Sequence, residues 1–194
     1  MRAVPILAAM IVLAAAAPAW ANKSAEAEAA FADNRDDEAI VLFGQAIQES
    51  AGDASAQALA YFGRGEVQAM NRRTDLAIED FTAALALKQD DASRANTYYS
   101  RGEAYGRKQM IAEAVADYSE SIRLAPGLVG VHYARGALLR RLKRNDEALV
   151  DFEAELKINP TSYRTLTAKA DMLGLPMPPD PRPSYEADHA AAAR

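Results

Sequence analysis

The sequence contains no cysteine. That excludes disulfides, thiolate metal sites, a cysteine nucleophile and a lipid-modified N-terminal cysteine. Histidine is scarce as well: only His132 and His189 occur, too far apart in sequence for a helix-borne metal pair. There is no Lys/Arg block of the kind that tracks phosphates. Acids and bases are interspersed around a net charge of −5, so nucleic acid is not expected as a partner. No Gly-rich phosphate loop is present, and no motif supports Ser-His-Asp chemistry. Asp33, Asp36, Asp37 and Glu38 look like a metal loop only at first sight. They lack calcium-loop spacing, and a hydrated turn with acids at a helix N-terminus accounts for them more simply. These absences exclude most catalytic classes, so no enzyme activity, metal or cofactor is expected.

What is present is the composition of a folded chain, half hydrophobic and a quarter charged. Its 194 residues allow one domain or one short array. The first stretch stands apart. Arg2 is followed by an apolar run from Ile6 to Ala17, then Pro18 and the triplet Ala19-Trp20-Ala21. One positive charge, a short apolar run and a small-x-small site make residues 1–21 a secretory signal peptide, with cleavage expected after Ala21. The alternative is an uncleaved anchor, although the run falls short of the ~20 apolar residues of a membrane span. Export without disulfides fits the bacterial periplasm, and no membrane span is expected in the mature chain.

A two-part phrase then recurs. Arg64-Gly65, Arg101-Gly102 and Arg135-Gly136 are each answered sixteen residues after the Arg by Asp80-Phe81, Asp117-Tyr118 and Asp151-Phe152. An Ala stands three residues before each Asp: Ala77, Ala114 and Ala148. The glycines lie 37 and then 34 residues apart. A fixed period in this range indicates stacked supersecondary units rather than one closed globule. In the central unit Tyr98, Gly102 and Tyr105 share one helical face. Ala114, Tyr118, Ser121 and Ile122 share another, beyond the turn at Lys108-Gln109-Met110. This is a helix hairpin, closed by Pro126 and in the next unit by Pro160. Asp36, Thr74 and Asn145 stand where second helices should begin and can cap them, whereas Ile111 in the same place cannot.

The pattern resembles the tetratricopeptide repeat. Tyr98, Gly102, Tyr105, Ala114, Tyr118, Ser121 and Pro126 fill all seven of that family's characteristic places. The following copy reads His132, Gly136, Leu139, Ala148, Phe152, Glu155 and Pro160. The preceding one reads Tyr61, Gly65, Gln68, Ala77, Phe81, Ala84 and Gln89, with about three extra residues near Asp90 to Arg94 expected to lengthen its loop. A weaker first copy keeps Ala27, Ala39, Phe43 and Ala46. The resemblance implies an all-α, right-handed superhelical solenoid of antiparallel helix pairs. Its expected divisions are a degenerate repeat at 22–57, repeats at 58–94, 95–128 and 129–162, a capping helix at 163–173, and a Pro/Ala-rich tail at 174–194. Ser24 is a plausible cap for the first helix. Glu155, at a place that is usually small, suggests looser packing.

The recurring charges admit two readings: solvated residues that drifted with the repeat, or ion pairs Arg64–Asp80, Arg101–Asp117 and Arg135–Asp151. In the first repeat both members are replaced together, by Glu26 and Leu42, as coupling would require. The resemblance also implies a concave surface lined by each first helix. Its stripe runs through Phe62, Glu66, Ala69 and Met70; Tyr99, Glu103, Gly106 and Arg107; Tyr133, Ala137, Arg140 and Arg141; and, in the first repeat, Ser24, Glu28 and Phe31. Stacked, these make an aromatic row, an acidic row and a basic corner at Arg107, Arg140 and Arg141, suited to an extended peptide or a partner helix. The alternative is that the aromatics mainly pack between helices. One variant of the family grips a C-terminal carboxylate with Lys, Arg and Asn here; aromatics and Glu stand at those places in this chain. The expected function is a non-enzymatic protein-interaction module of the cell envelope, or, alternatively, a structural accessory subunit that leaves the groove unused.

Overall fold

A computed structural model describes residues 18–179. The expected leader lies largely outside those residues, as do the end of the tail and His189. Nine helices and no strands occur among the described residues. They form four antiparallel pairs and a single last helix: α1 (Ala19–Ala32) with α2 (Asp36–Glu49), α3 (Ala54–Met70) with α4 (Thr74–Leu85), α5 (Asp91–Arg107) with α6 (Ile111–Leu124), α7 (Val131–Arg141) with α8 (Asn145–Ile158), and α9 (Tyr163–Leu173). Each pair packs only on its neighbours, so the interior is a series of small clusters rather than one core. Alanine dominates these clusters, which keeps the helices close.

The recurring glycines bring the two backbones of a pair together. A Cβ built on Gly65 would lie 2.7 Å from the ring of Phe81, on Gly102 2.7 Å from Tyr118, and on Gly136 2.9 Å from Phe152. Each ring fills the space that the missing side chain leaves, and all three rings are buried. In the first pair Ala27 takes the glycine's place, and the ring of Phe43 instead lies over Gly63 of α3.

The helix starts differ from the sequence reading. Asp36, Thr74 and Asn145 are the first residues inside α2, α4 and α8, and none of these helices has a side-chain cap. The turn itself does the work. Asn34, Arg72, Gln109 and Lys143 adopt left-handed φ values of 59° to 62°. The next N–H, of Arg35, Arg73, Met110 or Arg144, then donates back to the carbonyl of Ala30, Gln68, Tyr105 or Leu139. This six-to-one closure uses only backbone, so Ile111 begins α6 as readily as a capping residue would. A side chain in the left-handed region is strained by about 1–2 kcal/mol, and glycine removes that at some cost in unfolded-state entropy. Lys143→Gly is therefore expected to raise stability by about 0.5–1 kcal/mol, read as a higher midpoint in urea denaturation.

Three further expectations are corrected. Ser24 does not cap a helix or line a groove: α1 already begins at Ala19, and Ser24 is buried within it with an unpartnered hydroxyl. The extra residues near Asp90 to Arg94 do not lengthen a loop: Asp90 caps α5, its carboxylate accepting from the Ser93 N–H, and the rest form the first turn of that helix. Glu155 does not loosen the packing. It is completely buried, and both of its oxygens accept from the Gly130 N–H at 2.9 and 3.0 Å, placing its charge at the N-terminus of α7. α6 and α8 end at Leu124 and Ile158, and the extended residues Ala125 and Asn159 lead into Pro126 and Pro160.

Candidate functional site

The first helix of each pair presents one stripe to an open depression that runs along α3, α5, α7 and α9. One part, a cavity of about 390 Å³, is bounded by Tyr99, Glu103 and Arg107 of α5, Tyr133 and Ala137 of α7, and Arg164 of α9. A smaller cavity of about 170 Å³ shares Tyr99, Glu103 and Arg107 and adds Glu66 and Met70 of α3. A third, of about 410 Å³, lies beyond it against Leu59 and Phe62.

Phe62, Tyr99 and Tyr133 are half-buried. Each leans on the ring that fills its own pair's glycine notch: Phe62 on Phe81, Tyr99 on Tyr118 and Tyr133 on Phe152, with centroids 5.8, 5.9 and 5.9 Å apart. The aromatic row therefore packs with one edge and faces the depression with the other. Packing also fixes its direction, since a ring held on a buried ring has few ways to turn.

The charges in the groove are less free than their spacing suggests. Glu103 accepts from the Tyr118 hydroxyl at 2.9 Å. Burial, followed by the nearby Glu103 charge, pushes the Tyr118 phenol far above its ordinary value, so it remains a proton donor. Burial and Glu103 raise Tyr99 in the same way. Arg107 donates to the Ala69 carbonyl at 2.8 Å and so bridges α5 to α3. Arg140 pairs with Asp171 of α9 at 2.8 Å, and Arg141 donates to Gln109. Neither Arg140 nor Arg141 borders the cavities described above. Met70 is largely exposed beside Glu66.

Arg164 supplies the positive wall instead. Its guanidinium lies 4.4 Å from the centre of the Tyr133 ring. A Cβ on Gly130 would come within 2.9 Å of it, a contact the end of the arginine could yield, whereas the left-handed φ of 92° at Gly130 is what favours glycine there. Sequence reasoning missed Arg164 because the stripe was followed only from three residues before each glycine. One helical turn earlier, six residues before the glycine, the same stripe carries Leu59, Asn96 and Gly130, and Arg164 continues it on α9.

The paired charges of the recurring phrase lie away from the depression. Arg64 Nε and Nη2 donate to Asp80 at 2.9 and 2.7 Å, Arg101 to Asp117 at 2.8 and 2.9 Å, and Arg135 to Asp151 at 2.8 and 2.7 Å. All three are forked, two-point contacts to buried carboxylates. Gln68 adds a third donor to Asp80. Behind each guanidinium stands the residue at the Tyr61 place. Arg64 lies over Tyr61 and Arg101 over Tyr98, whereas His132 places Nδ1 3.1 Å from Asp151. Burial works against the charge on Asp151, but the hydrogen bonds from Arg135 and His132 outweigh it and hold its carboxyl below the ordinary range.

These arginines also reach the preceding repeat. Arg101 Nη1 donates to Thr82 of α4, and Arg135 Nη1 to Ser119 of α6, both at 3.0 Å. Lys169 of α9 continues the series, meeting Glu153 of α8 at 2.9 Å. The signal was present in the sequence: Thr82, Ser119 and Glu153 each follow the aromatic of an Asp-aromatic pair. At the corresponding place in the first repeat Gly44 offers no side chain, although the Arg64 guanidinium lies beside it.

Comparison with known proteins matches this architecture. Residues 95–127 fit the tetratricopeptide repeat family model. No curated protein matches the sequence. Among solved structures the chain is similar to MamA, at 17% identity and a TM-score of 0.68, over 76% of this chain and 82% of that one. It is also similar to YrrB, described as a TPR protein with an unusual peptide-binding site, at 18% identity and a TM-score of 0.66, over 78% and 75% of the two chains. A third is the first TPR of Spaghetti (RPAP3) bound to the HSP90 peptide SRMEEVD, at 22% identity and a TM-score of 0.57, over 62% and 95%. At these identities the likeness is one of fold. One copy fits the family model and the copies on either side are built on the same notch of glycine and ring, so the chain has an all-α fold of the tetratricopeptide-repeat type.

Proposed function

We propose that this chain is a non-catalytic protein-interaction module that holds an extended segment or helix of a partner protein along α3, α5, α7 and α9. The observation that carries this reading is the row Phe62, Tyr99 and Tyr133, held rigidly from behind and open in front. Rigid aromatic surface binds with little loss of side-chain entropy, and an adjoining Arg164 and Glu66 can set the register of a mixed-charge segment. The RPAP3 repeat bound to an HSP90 peptide, similar to this chain in fold, supports it. An adaptor or assembly factor of the bacterial cell envelope is the setting we favour. The support is Arg2, the apolar run to Ala17 and the Ala19-Trp20-Ala21 site. Among the described residues no helix is long and apolar enough to cross a membrane.

A second reading has its own observation. Val41 and Val150 are exposed on the outer helices α2 and α8, as an accessory subunit docked by its outer face would require. Photo-reactive residues at Tyr99 and Tyr133 are expected to crosslink to a partner chain in the periplasm, and residues at Val41 and Val150 are not. Crosslinks from Val41 and Val150 alone would reverse the assignment.

A further inference from the structure

At the α1 end of the depression the lining changes character. The cavity of about 410 Å³ is lined by the apolar side chains of Leu59, Phe62 and Trp20 together with the polar ones of Gln89, Asn96 and Thr97, and Leu59 is exposed despite being apolar. Its lining also holds two carboxylates, Asp53 and Asp90, and no basic side chain. These are the caps of α3 and α5. Asp53 receives the N–H groups of Ser55 and Ala56 on one oxygen only, and Asp90 receives the Ser93 N–H and hydroxyl. The caps of α7 and α9 are the neutral Gly130 and Ser162, so the acidic pair is confined to this end while Arg164 stands at the other.

Apolar side chains and two fixed anionic groups in one cavity complement a cation carried on an apolar stem. We propose that this cavity takes a lysine or arginine side chain of the bound partner segment, with a neighbouring aliphatic residue of that segment lying on Leu59 and Phe62. This rests on the reading of the groove as a peptide site and adds its polarity: cationic residues of the partner toward α1, anionic ones toward Arg164. The side chain's methylenes lie against Leu59 and Phe62 while its charged head reaches the carboxylates. The indole of Trp20 can add a cation–π contact in the uncleaved chain. Asp53, Asp90, Leu59 and Phe62 remain after cleavage at Ala21, so the site does not depend on it.

The test uses the full-length chain, isotope-labelled for NMR, and three peptides: acetyl-Leu-Arg-Leu-amide and its citrulline and glutamate counterparts. The arginine peptide is expected to shift the amides of Ala56, Leu59, Ser93 and Asn96, and to bind about five- to tenfold more tightly than the other two. It should also perturb the fluorescence of Trp20, the chain's single tryptophan. The double variant Asp53→Asn/Asp90→Asn keeps both caps, because asparagine caps as well as aspartate, and removes only the charge. It is expected to lose the same five- to tenfold. Equal binding of the three peptides, unchanged affinity in the double variant, or no shift at these amides overturns the proposal. Shifts confined to Tyr99, Glu103 and Tyr133 would overturn it while leaving the groove reading intact. Argininamide or choline binding as tightly as the arginine peptide would assign the cavity to small free cations instead.

Discussion

Replacing Phe152 by alanine is expected to destabilise the chain by about 3–5 kcal/mol. The ring is completely buried, lies against Gly136 across the α7–α8 pair, and supports Tyr133 on the groove side. Its removal empties a space that Gly136 cannot fill and that helix closure would fill only by moving Tyr133. The loss is a large fraction of the stability of a typical domain, about 5–15 kcal/mol. Because each pair touches only its neighbours, the damage should begin at one end: α7, α8 and α9 should open before α1 to α4. Hydrogen exchange of the two ends, with urea denaturation followed by circular dichroism, reads both the size and the place of the loss. Val150→Ala, two residues away but exposed, is the control and should stay within about 0.5 kcal/mol. Equal effects of the two substitutions would contradict the packing described.

The helix pairs were legible from the sequence because their contact is made by side-chain size. A glycine or alanine opposite a ring must recur wherever two backbones approach, and Gly65–Phe81, Gly102–Tyr118 and Gly136–Phe152 leave that record. The turns were not legible for the opposite reason. A six-to-one backbone closure makes no demand on side-chain chemistry, so Asp36, Thr74 and Asn145 looked like caps and Ile111 like a fault. Glu155 misled because a buried carboxylate was judged by its volume, whereas the Gly130 N–H that donates to it lies 25 residues away.

The candidate site was legible only in part. Tyr99, Tyr133, Glu103 and Arg107 do come together around one cavity. Arg140 and Arg141 share the helical stripe, but long side chains go where partners are, and theirs are Asp171 and Gln109. Arg164 was hidden by belonging to a helix read as a cap. A stripe identifies Cα directions; the ends of arginines must be found from what surrounds them.

The Arg101–Asp117 pair is the sharpest test of what the recurring charges contribute. Its carboxylate is nearly buried and its guanidinium mostly so, with side-chain exposures of 8% and 17%. Asp117→Ala should therefore cost about 3 kcal/mol, because it leaves Arg101 with only Thr82 and the faces of Tyr98 and Tyr105 as partners. Arg101→Met should cost a similar amount by stranding a buried carboxylate, while its stem still packs between the tyrosines. The double variant Arg101→Met/Asp117→Leu strands neither charge, and an apolar pair of similar volume can be nearly neutral in such a setting. It is expected to be at least 2 kcal/mol more stable than the sum of the single losses predicts, a coupling read from a double-mutant cycle in urea. Additive losses would mean that the two charges act separately. If the double variant is stable yet its Arg101-side contacts to Thr82 are gone, the α4–α5 interface should exchange amides faster while the α5–α6 pair stays closed. That pattern would place the arginine's role between repeats as much as within one, since its fork holds Asp117 while its remaining nitrogen holds the repeat before it.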